Sequence, residues 1–191
     1  MGLNNNTASN VSAGKPLATG AIWAAPLGTP LPTSTTDALD EAFKCLGYCS
    51  DAGLTNGTNL ESQKIKAWGG DTVLTIQTSK DDTFKFTLIE VLNEEVLKFV
   101  YGSSNVSGSL STGLTVGANN ADVEEKSLVI DMIMRDNTAK RVVIPAGKVS
   151  EVGDIVYSDS AAVGYETTVS TSPDSNANTH YEYLLKASIS G

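Results

Sequence analysis

The chain of 191 residues has few of the side chains that most enzymes use in catalysis. It contains one histidine and two cysteines, and aromatic residues make up 6% of it. The histidine, His180, cannot build a metal site with Cys45 and Cys49 unless distant acids join it. The sequence has no G-x-S-x-G, no phosphate-binding loop and no dinucleotide fingerprint. These absences predict no enzymatic activity, no metal and no cofactor, and His180 is expected to lie exposed at the start of a strand.

Basic residues are also scarce, since 13 lysines and arginines stand against 22 acidic residues and give a net charge of −9. Such a chain repels phosphates on average, which disfavours a protein that grips nucleic acid. No segment is apolar enough to span a bilayer, and the first 20 residues lack the features of a signal peptide. We therefore expect no membrane partner and synthesis in the cytosol. Cys45 and Cys49 lack C-x-x-C spacing and are expected to be reduced structural thiols.

The order of polar and apolar segments predicts one domain with an N-terminal arm. Residues 1–18 are rich in Asn, Ser, Thr, Ala and Gly and predict a flexible arm, which leaves residues 19–191 for the domain. Two short helices are predicted, one from a cap at Thr36 or Asp37 to Gly47, the other from a cap at Asn93 to Gly102. A Gly/Ser-rich loop is expected over residues 102–122, with a weak strand near Leu114–Val116.

The second half of the chain is a series of short alternating segments separated by polar turns. Strands are predicted in KSLVIDMIMRD, AKRVVIPAGKV, GDIVYSD, GYETTVSTSPD and HYEYLLKASIS, with a turn at Asp136-Asn137 between the first two. In the last of these, Ala187 and Ile189 fall in phase with Tyr181. Regularly spaced short strands of this kind predict a mainly β fold, an antiparallel β-sandwich or barrel with one or two short flanking helices.

A long β-hairpin is predicted over residues 62–92, around the sequence AWGGDTVLTIQTSKDDTFKFTLIE. The pattern places a bulge or bend at Gly69-Gly70 and a turn at residues 79–82. Alternation gives the hairpin an apolar face, Leu74, Ile76, Phe84, Phe86 and Leu88, and a polar face, Asp71, Thr75, Gln77, Lys85 and Thr87. An isolated ribbon has unpaired edges and is marginally stable. By itself the pattern favours a hairpin within one sheet of an ordinary sandwich.

Three long segments carry a family resemblance when they are taken in order. They are GAIWAAPLGTPLPTSTTDALDEAFKCLGYCSDAGL, IKAWGGDTVLTIQTSKDDTFKFTLIEVLNEEVLKFVYG and KRVVIPAGKVSEVGDIVYSDSAAVGYETTVSTSPD. Their order and spacing resemble the major tail tube proteins of bacteriophages with long, non-contractile tails. The resemblance extends over residues 20–189.

The resemblance implies a structural virion protein that is located in the tail and assembled in the host cytoplasm. Family members form hexameric rings that stack into a tube around a tape-measure protein, and the genome later passes through the tube into the host without specific binding. Tail-tip initiator and tail terminator proteins are further implied partners. Each subunit lends strands to a continuous inner barrel, and terminal arms and loops bridge the rings.

Applied to the hairpin, the resemblance implies that the polar face lines the lumen and that the apolar face packs outward against the sandwich or a neighbouring subunit. The lumen-facing residues would be Asp71, Thr75, Gln77, Lys85 and Thr87; the outward-facing residues would be Leu74, Ile76, Phe84, Phe86 and Leu88. Lys85 would either pair with Asp71 or make the lumen less repulsive to DNA.

Three alternatives stay open on the sequence alone. A contractile tail or secretion-system tube would use the same fold. A β-sandwich that decorates a virion or cell surface and binds sugar or protein would behave as a monomer or small oligomer. A hydrolase with an unrecognised site would lose activity when His180 is replaced.

Overall fold

The computed structural model describes residues 6–186, so the predicted positions of Ala187 and Ile189 lie outside the described residues. Within this range there are eleven strands and one α-helix. The strands are β1 (Lys15–Pro16), β2 (Ile22–Pro26), β3 (Lys44–Cys45), β4 (Cys49–Lys66), β5 (Thr72–Leu88), β6 (Val106–Ser109), β7 (Gly113–Val116), β8 (Lys126–Met134), β9 (Thr138–Val152), β10 (Tyr165–Ser172) and β11 (Tyr181–Lys186). The helix is α1 (Glu94–Tyr101). The predicted mainly β, antiparallel fold with a flanking helix is confirmed.

Nine of the strands form one antiparallel sheet, and its two ends meet. The order is β3-β2-β8-β9-β10-β5-β4, with β1 paired to the end of β8 and β11 paired to the first half of β9. The outermost strands β3 and β4 are separated in sequence only by residues 46–48, which span at most about 14 Å between Cys45 and Cys49. The sheet therefore curls until its first and last strands are close together.

The joint between the two ends of the sheet requires a glycine. Gly47 has a φ of 70°, and a Cβ at this position would lie 2.1 Å from Cδ of Glu90. The Glu90 carboxylate accepts a 2.9 Å hydrogen bond from the backbone N–H of Tyr48, and Ile89 N donates to the Tyr48 carbonyl at 3.0 Å. These bonds hold the first residues after β5 against the residue that precedes β4.

The core lies inside the curl and is shared by most strands and the helix. Its fully buried members include Ile22, Phe84, Leu88, Leu128, Ile144 and Val169. A smaller cluster lies on the other face of β8 and β9 and contains Phe43, Val129 and Val143. Successive residues of β8 thus point into two different clusters, which explains why its sequence is an almost continuous apolar run.

The helix predicted at residues 93–102 is confirmed. The side chain of Asn93 accepts a 3.0 Å hydrogen bond from Glu95 N, and Gly102 ends the helix with a φ of 91°. Val96, Leu97, Phe99 and Val100 are buried in the core. Ordinary capping chemistry at both ends therefore defines this element.

The helix predicted between Thr36 and Gly47 is wrong. The carboxylate of Asp37 instead accepts hydrogen bonds from Thr33 N at 2.7 Å, Thr33 Oγ1 at 2.9 Å and Ser34 Oγ at 2.7 Å. These bonds hold the pKa of Asp37 at about 2, chiefly through the Ser34 hydroxyl. Short polar side chains that bond the local backbone compete with helix formation, and here they produce a folded loop that covers the smaller cluster.

Three further predictions for the second half have different outcomes. The Gly/Ser-rich segment contains a separate two-stranded hairpin, β6 with β7, so the weak strand predicted near Leu114–Val116 is confirmed. The strand predicted in GDIVYSD is wrong, because residues 153–159 have no regular structure. Asp136 and Asn137 adopt φ values of 54° and 57° and form the predicted turn between β8 and β9.

Described residues of the N-terminal arm lie along the chain's own sheet. Lys15 and Pro16 pair with Ile133 and Met132, and Leu17 N donates to the Asp131 carbonyl at 3.2 Å. Nearer the N-terminus, Ser12 Oγ accepts a 2.7 Å hydrogen bond from Arg135 N. The arm thus pairs with β8 near the C-terminal end of that strand.

Candidate assembly surface

The long hairpin is present, but it is longer than predicted and turns elsewhere. Strands β4 and β5 pair from Cys49 with Leu88 to Lys66 with Thr72, and the turn lies at residues 67–71. Ala67 N donates to the Asp71 carbonyl at 2.8 Å, and Gly69 and Gly70 supply φ values of 118° and 102°. The predicted bulge or bend at Gly69-Gly70 is a bend within this turn, whereas the predicted turn at residues 79–82 and the boundaries 62–92 are wrong.

The segment predicted as a turn stays in the strand because Asp82 has partners inside the fold. Its buried carboxylate accepts a 2.6 Å hydrogen bond from Thr58 Oγ1 and a second from Thr179 Oγ1. Lys80 Nζ lies 3.4 Å away, and the Asp82 carbonyl accepts a 3.0 Å hydrogen bond from Thr171 Oγ1. Asp82 thereby joins β4, β5, β10 and the segment before β11.

Beyond Asp82 the hairpin leaves the sheet as a two-stranded ribbon. Strand β10 pairs with β5 only from Thr83 to Leu88, so residues 58–66 and 72–82 pair with each other alone. At about 3.3 Å per residue, this distal ribbon is roughly 30 Å long. Both of its edges are open for pairing within the part of the chain that the structure describes.

A β-bulge at Thr78 exchanges the two faces of the hairpin. Glu61 pairs with Ser79 and Ser62 pairs with Gln77, so β5 carries one extra residue at this point. Because directly paired residues share a face, the register places Leu74 and Ile76 on the face opposite to Phe84. The prediction that Leu74, Ile76, Phe84, Phe86 and Leu88 share one face is wrong for this physical reason.

Burial agrees with that division of the apolar residues. Phe84, Phe86 and Leu88 are buried inside the chain's own core, with exposures of 1%, 2% and 0%. Leu74 and Ile76 are 51% and 45% exposed, and Ile65, which pairs with Leu74, is 42% exposed. The distal ribbon therefore presents an apolar face that nothing in the described chain covers, with Lys64, Thr75 and Gln77 on the reverse side.

The predicted polar residues nearest the body lie on a broad polar surface. Strands β4, β5, β10 and β9 are neighbours, and their solvent-facing side forms the polar sheet face, which consists of Thr55, Lys85, Thr87, Lys148, Glu151, Glu166, Thr168 and Ser170. Its two lysines and two glutamates balance in charge. Ser170 Oγ donates to Ser150 Oγ at 2.8 Å, which continues the same hydroxyl-rich surface.

Lys85 forms its ion pair with Glu166 on β10, and this hydrogen-bonded contact raises the pKa of Lys85. It does not pair with Asp71, which lies in the turn at the far end of the ribbon. The structure thus brings Lys85 and Thr87 together on the polar sheet face and separates Asp71, Thr75 and Gln77 from them. Glu166 and Asp82 also belong to this region and were not among the predicted site residues.

His180 and the cysteines have structural surroundings. His180 is only 19% exposed, not free in solvent as predicted, and its ring packs edge-on against Phe84 at a centroid distance of 5.2 Å. Both thiols are free, and burial, followed by the charges of Cys45 and Glu90, raises the pKa of Cys49 to about 11. No group of three or more metal-binding side chains exists within residues 6–186. No helix in that range is long and apolar enough to cross a membrane.

Comparison with known proteins gives a family. The sequence family described as phage tail tube protein matches residues 1–189. No curated protein matches the chain. A solved structure described as the cap that terminates the tube of the anti-feeding prophage is similar, with 8% identity and a TM-score of 0.41, over 94% of this chain and 98% of that one. On the match over residues 1–189, the chain belongs to the phage tail tube protein family, and its role is that of a structural protein in the virion tail.

Proposed function

We propose that the subunit assembles as hexameric rings, that the rings stack into the tail tube, and that the polar sheet face lines the lumen through which the genome leaves. The observation that carries this proposal is the polar sheet face itself, four adjacent strands wide and uncovered in the single chain. The chain belongs to a tail tube protein family, and a tube has a lumen that some surface of the subunit must line.

Six such faces would close into a barrel of suitable size. Four strands from each of six subunits give about 24 strands, and with a spacing of about 4.8 Å and a tilt of about 40° the barrel is roughly 45–50 Å across between backbones. Side chains on both sides narrow this width, and the remaining channel is wider than a DNA duplex. Closing the barrel would also pair the backbone N–H and C=O groups on strand edges that are open in the single chain.

The chemistry of the polar sheet face suits a channel through which DNA slides. Lys85 is held by Glu166, and Lys148 lies 3.3 Å from Asp122, so neither cation is an isolated charge. The rest of the face is mostly hydroxyl groups. Cationic side chains that bind DNA phosphates displace the counterions of the DNA, and this displacement raises affinity. The polar sheet face offers few such cations. Lys85 and Thr87 therefore keep their proposed position in the lumen.

The other predicted lumen residues receive a different proposed role. Thr75 and Gln77 lie beyond the bulge and Asp71 lies in the turn, so we assign them to contacts between subunits. The apolar face of the distal ribbon, Ile65, Leu74 and Ile76, would likewise be covered by a neighbouring subunit. Phe84, Phe86 and Leu88 pack in the subunit's own core.

The proposed partners follow from a tube that is built on a template. A tape-measure protein would occupy the lumen during assembly in the host cytoplasm, an initiator complex at the tail tip would start polymerisation, and a terminator would end it. Polymerisation needs this control because the open strand edges of the distal ribbon would otherwise pair at random.

Negative-stain electron microscopy of purified protein over a range of concentrations tests the proposal. We expect sixfold rings or hollow tubes for the wild type and their loss in a Leu74→Asp, Ile76→Asp variant. Leu110→Asp is a matched control, because Leu110 is 57% exposed and lies outside the β4–β5 hairpin. Phe86→Asp is unsuitable because Phe86 is in the core. A protein that stays monomeric even with initiation components would favour the alternative of a surface β-sandwich that binds sugar or protein.

A further inference from the structure

We propose that Cys45 and Cys49 form a disulfide bond within one chain under oxidising conditions, and that this bond locks the joint where the two ends of the curled sheet meet. They are the two cysteines of the sequence, and both thiols are free. Cys45 is the last residue of β3 and Cys49 is the first residue of β4. A bond between them would therefore join the outermost strands of the sheet to each other.

The two thiols line one small cavity and lie close together along the chain. The cavity has a volume of about 280 Å³, and residues 16–21 form another part of its wall. Both cysteine side chains are half-buried. Gly47 N donates a 3.4 Å hydrogen bond to Cys45 Sγ, so this sulfur lies against the turn that leads into β4. Cys49 Cα follows Gly47 N by two residues and lies within about 8 Å of it.

The electrostatics of the cavity agree with this proximity. Burial is the largest cause that raises the pKa of Cys49 to about 11, Cys45 is the second, and Glu90 is the third. The Glu90 carboxylate itself lies in the joint, where it accepts the hydrogen bond from Tyr48 N. Charge effects weaken with distance, so the effect of Cys45 indicates that the two sulfurs are near neighbours.

Two neighbouring thiols can either bind a metal or form a disulfide. A protein metal site of this kind needs three or four ligands, and no group of three metal-binding side chains exists in the part of the chain that the structure describes. The pair is therefore better suited to oxidation.

The oxidant that the step needs is a peroxide. The Cys45 thiolate attacks one peroxide oxygen, the O–O bond breaks, and Cys45 becomes a sulfenic acid while the departing hydroxide takes a proton to form water. The Cys49 sulfur then attacks Cys45 Sγ, the S–O bond breaks, and the departing hydroxide takes the Cys49 proton to form a second water. Two thiols and one hydrogen peroxide thus give one disulfide and two waters. Cys45 reacts first because the raised pKa of Cys49 keeps its thiolate scarce.

The proposed function gives this oxidation an occasion. A tail that is assembled in the host cytoplasm is first in reducing surroundings, and the finished virion enters oxidising surroundings after its release. The joint would stay open to adjustment during assembly and become fixed afterwards. This timing rests on the proposed function, whereas the bond itself depends only on the single chain.

Peroxide treatment of the purified full-length protein tests the bond. Cleavage after Lys44 and Lys64 releases both cysteines in one peptide. After oxidation of the native protein, this peptide should weigh two hydrogens less and resist iodoacetamide until it is reduced, and further cleavage after Tyr48 should leave its two parts joined. The oxidised protein should run as a single chain on a non-reducing gel and melt roughly 4 °C higher than the reduced protein.

The matched controls are Cys45→Ser and Cys49→Ser, whose melting temperatures should not respond to peroxide. In Cys49→Ser, dimedone should trap the sulfenic acid of Cys45. Disulfide-linked dimers, a sulfinic acid on Cys45 with Cys49 still open to alkylation, or a bond that leaves the melting temperature unchanged overturns the inference. Micrographs of the same samples judge the proposed function separately: sixfold tubes without the bond leave that function standing, whereas the bond in protein that forms no tubes supports the inference and counts against the tube.

Discussion

Thr58 on β4 donates a 2.6 Å hydrogen bond to the carboxylate of Asp82 on β5, at the point where the hairpin leaves the sheet. Thr179 donates to the other carboxylate oxygen, and the side chain of Asp82 is completely buried. This acid fixes the root of the distal ribbon, and it is the reason why a polar sequence remains extended there.

Asp82→Ala should lower the free energy of unfolding by about 2–3 kcal/mol, because the hydrogen bonds that Thr58 and Thr179 donate to a charged acceptor are lost. Urea denaturation followed by circular dichroism measures this change. Asp81→Ala is the matched control, since Asp81 is exposed in the same strand, and it should change stability by less than about 0.5 kcal/mol. Equal effects of the two substitutions would show that the Asp82 contacts contribute nothing.

Acid should weaken the same contact. Burial raises the pKa of Asp82, but hydrogen bonds from Thr179 and Thr58 and the charge of Lys80 outweigh it, and the net pKa is lowered. A lowered pKa in the folded state stabilises the fold at every pH above the unfolded value of about 3.9 and loses that stabilisation as the pH falls through the folded value. Between pH 6 and pH 2.5, the melting temperature of the wild type should fall further than that of Asp82→Asn. Parallel curves would contradict this.

Replacing Arg141 should be among the most damaging single changes. Its guanidinium binds both oxygens of buried Asp131, at 2.7 and 3.0 Å, and donates to the carbonyls of Ser34 and Asp37. Arg141→Met leaves an unpaired buried carboxylate, and we expect a loss of about 3–5 kcal/mol in denaturant titrations. Adding Asp131→Leu should recover most of it. If the double variant is no more stable than the single one, the loss arises from the loop contacts and not from the charge.

Deleting Thr78 should separate folding from assembly. Without the extra residue, Leu74 and Ile76 move to the same face as Phe84, and the apolar surface of the distal ribbon changes sides. The core is unaffected, so the melting temperature should stay within a few degrees of the wild type, while tube formation by light scattering should be lost. Thr78→Ser, which keeps the register, is the control and should assemble normally. If the deletion variant forms normal tubes, the bulge has no role in assembly.

Cys49 should react slowly with alkylating reagents. With its pKa raised to about 11 by burial and then by Cys45 and Glu90, its thiolate fraction at pH 8.5 is at least about 100-fold below that of an ordinary cysteine. Iodoacetamide labelling followed by peptide mass spectrometry should show this protection in native protein and its loss in guanidinium chloride. Rapid native labelling of Cys49 would mean that the joint between β3 and β4 opens.

The sequence predicted the elements whose signals are local. Asn93 and Gly102 delimit a helix by capping, and Asp136 and Asn137 turn the chain by adopting left-handed backbone angles. The mainly β architecture followed from short strand-like segments separated by polar turns. Each of these features depends on residues within a few positions of one another, which is the range that pattern analysis covers.

The errors occurred where distant residues decide the local conformation. The polar run at residues 79–82 has turn composition, but Thr58 and Thr179 keep it in a strand. The segment from Thr36 to Gly47 resembles a helix, but Arg141 binds the Asp37 carbonyl, which a helix would use itself. The faces of the hairpin depend on one inserted residue at Thr78, and a strand's pattern cannot show which of its residues lacks a partner.

The long hairpin carries the exposed Trp68 in its turn, whereas its other end is anchored in the core by Phe84, Phe86 and Leu88, so its two ends differ in chemistry. In the proposed tube, copies that all point the same way would therefore give a polymer with two different ends. The component proposed to begin such a polymer and the component proposed to stop it would then need different surfaces.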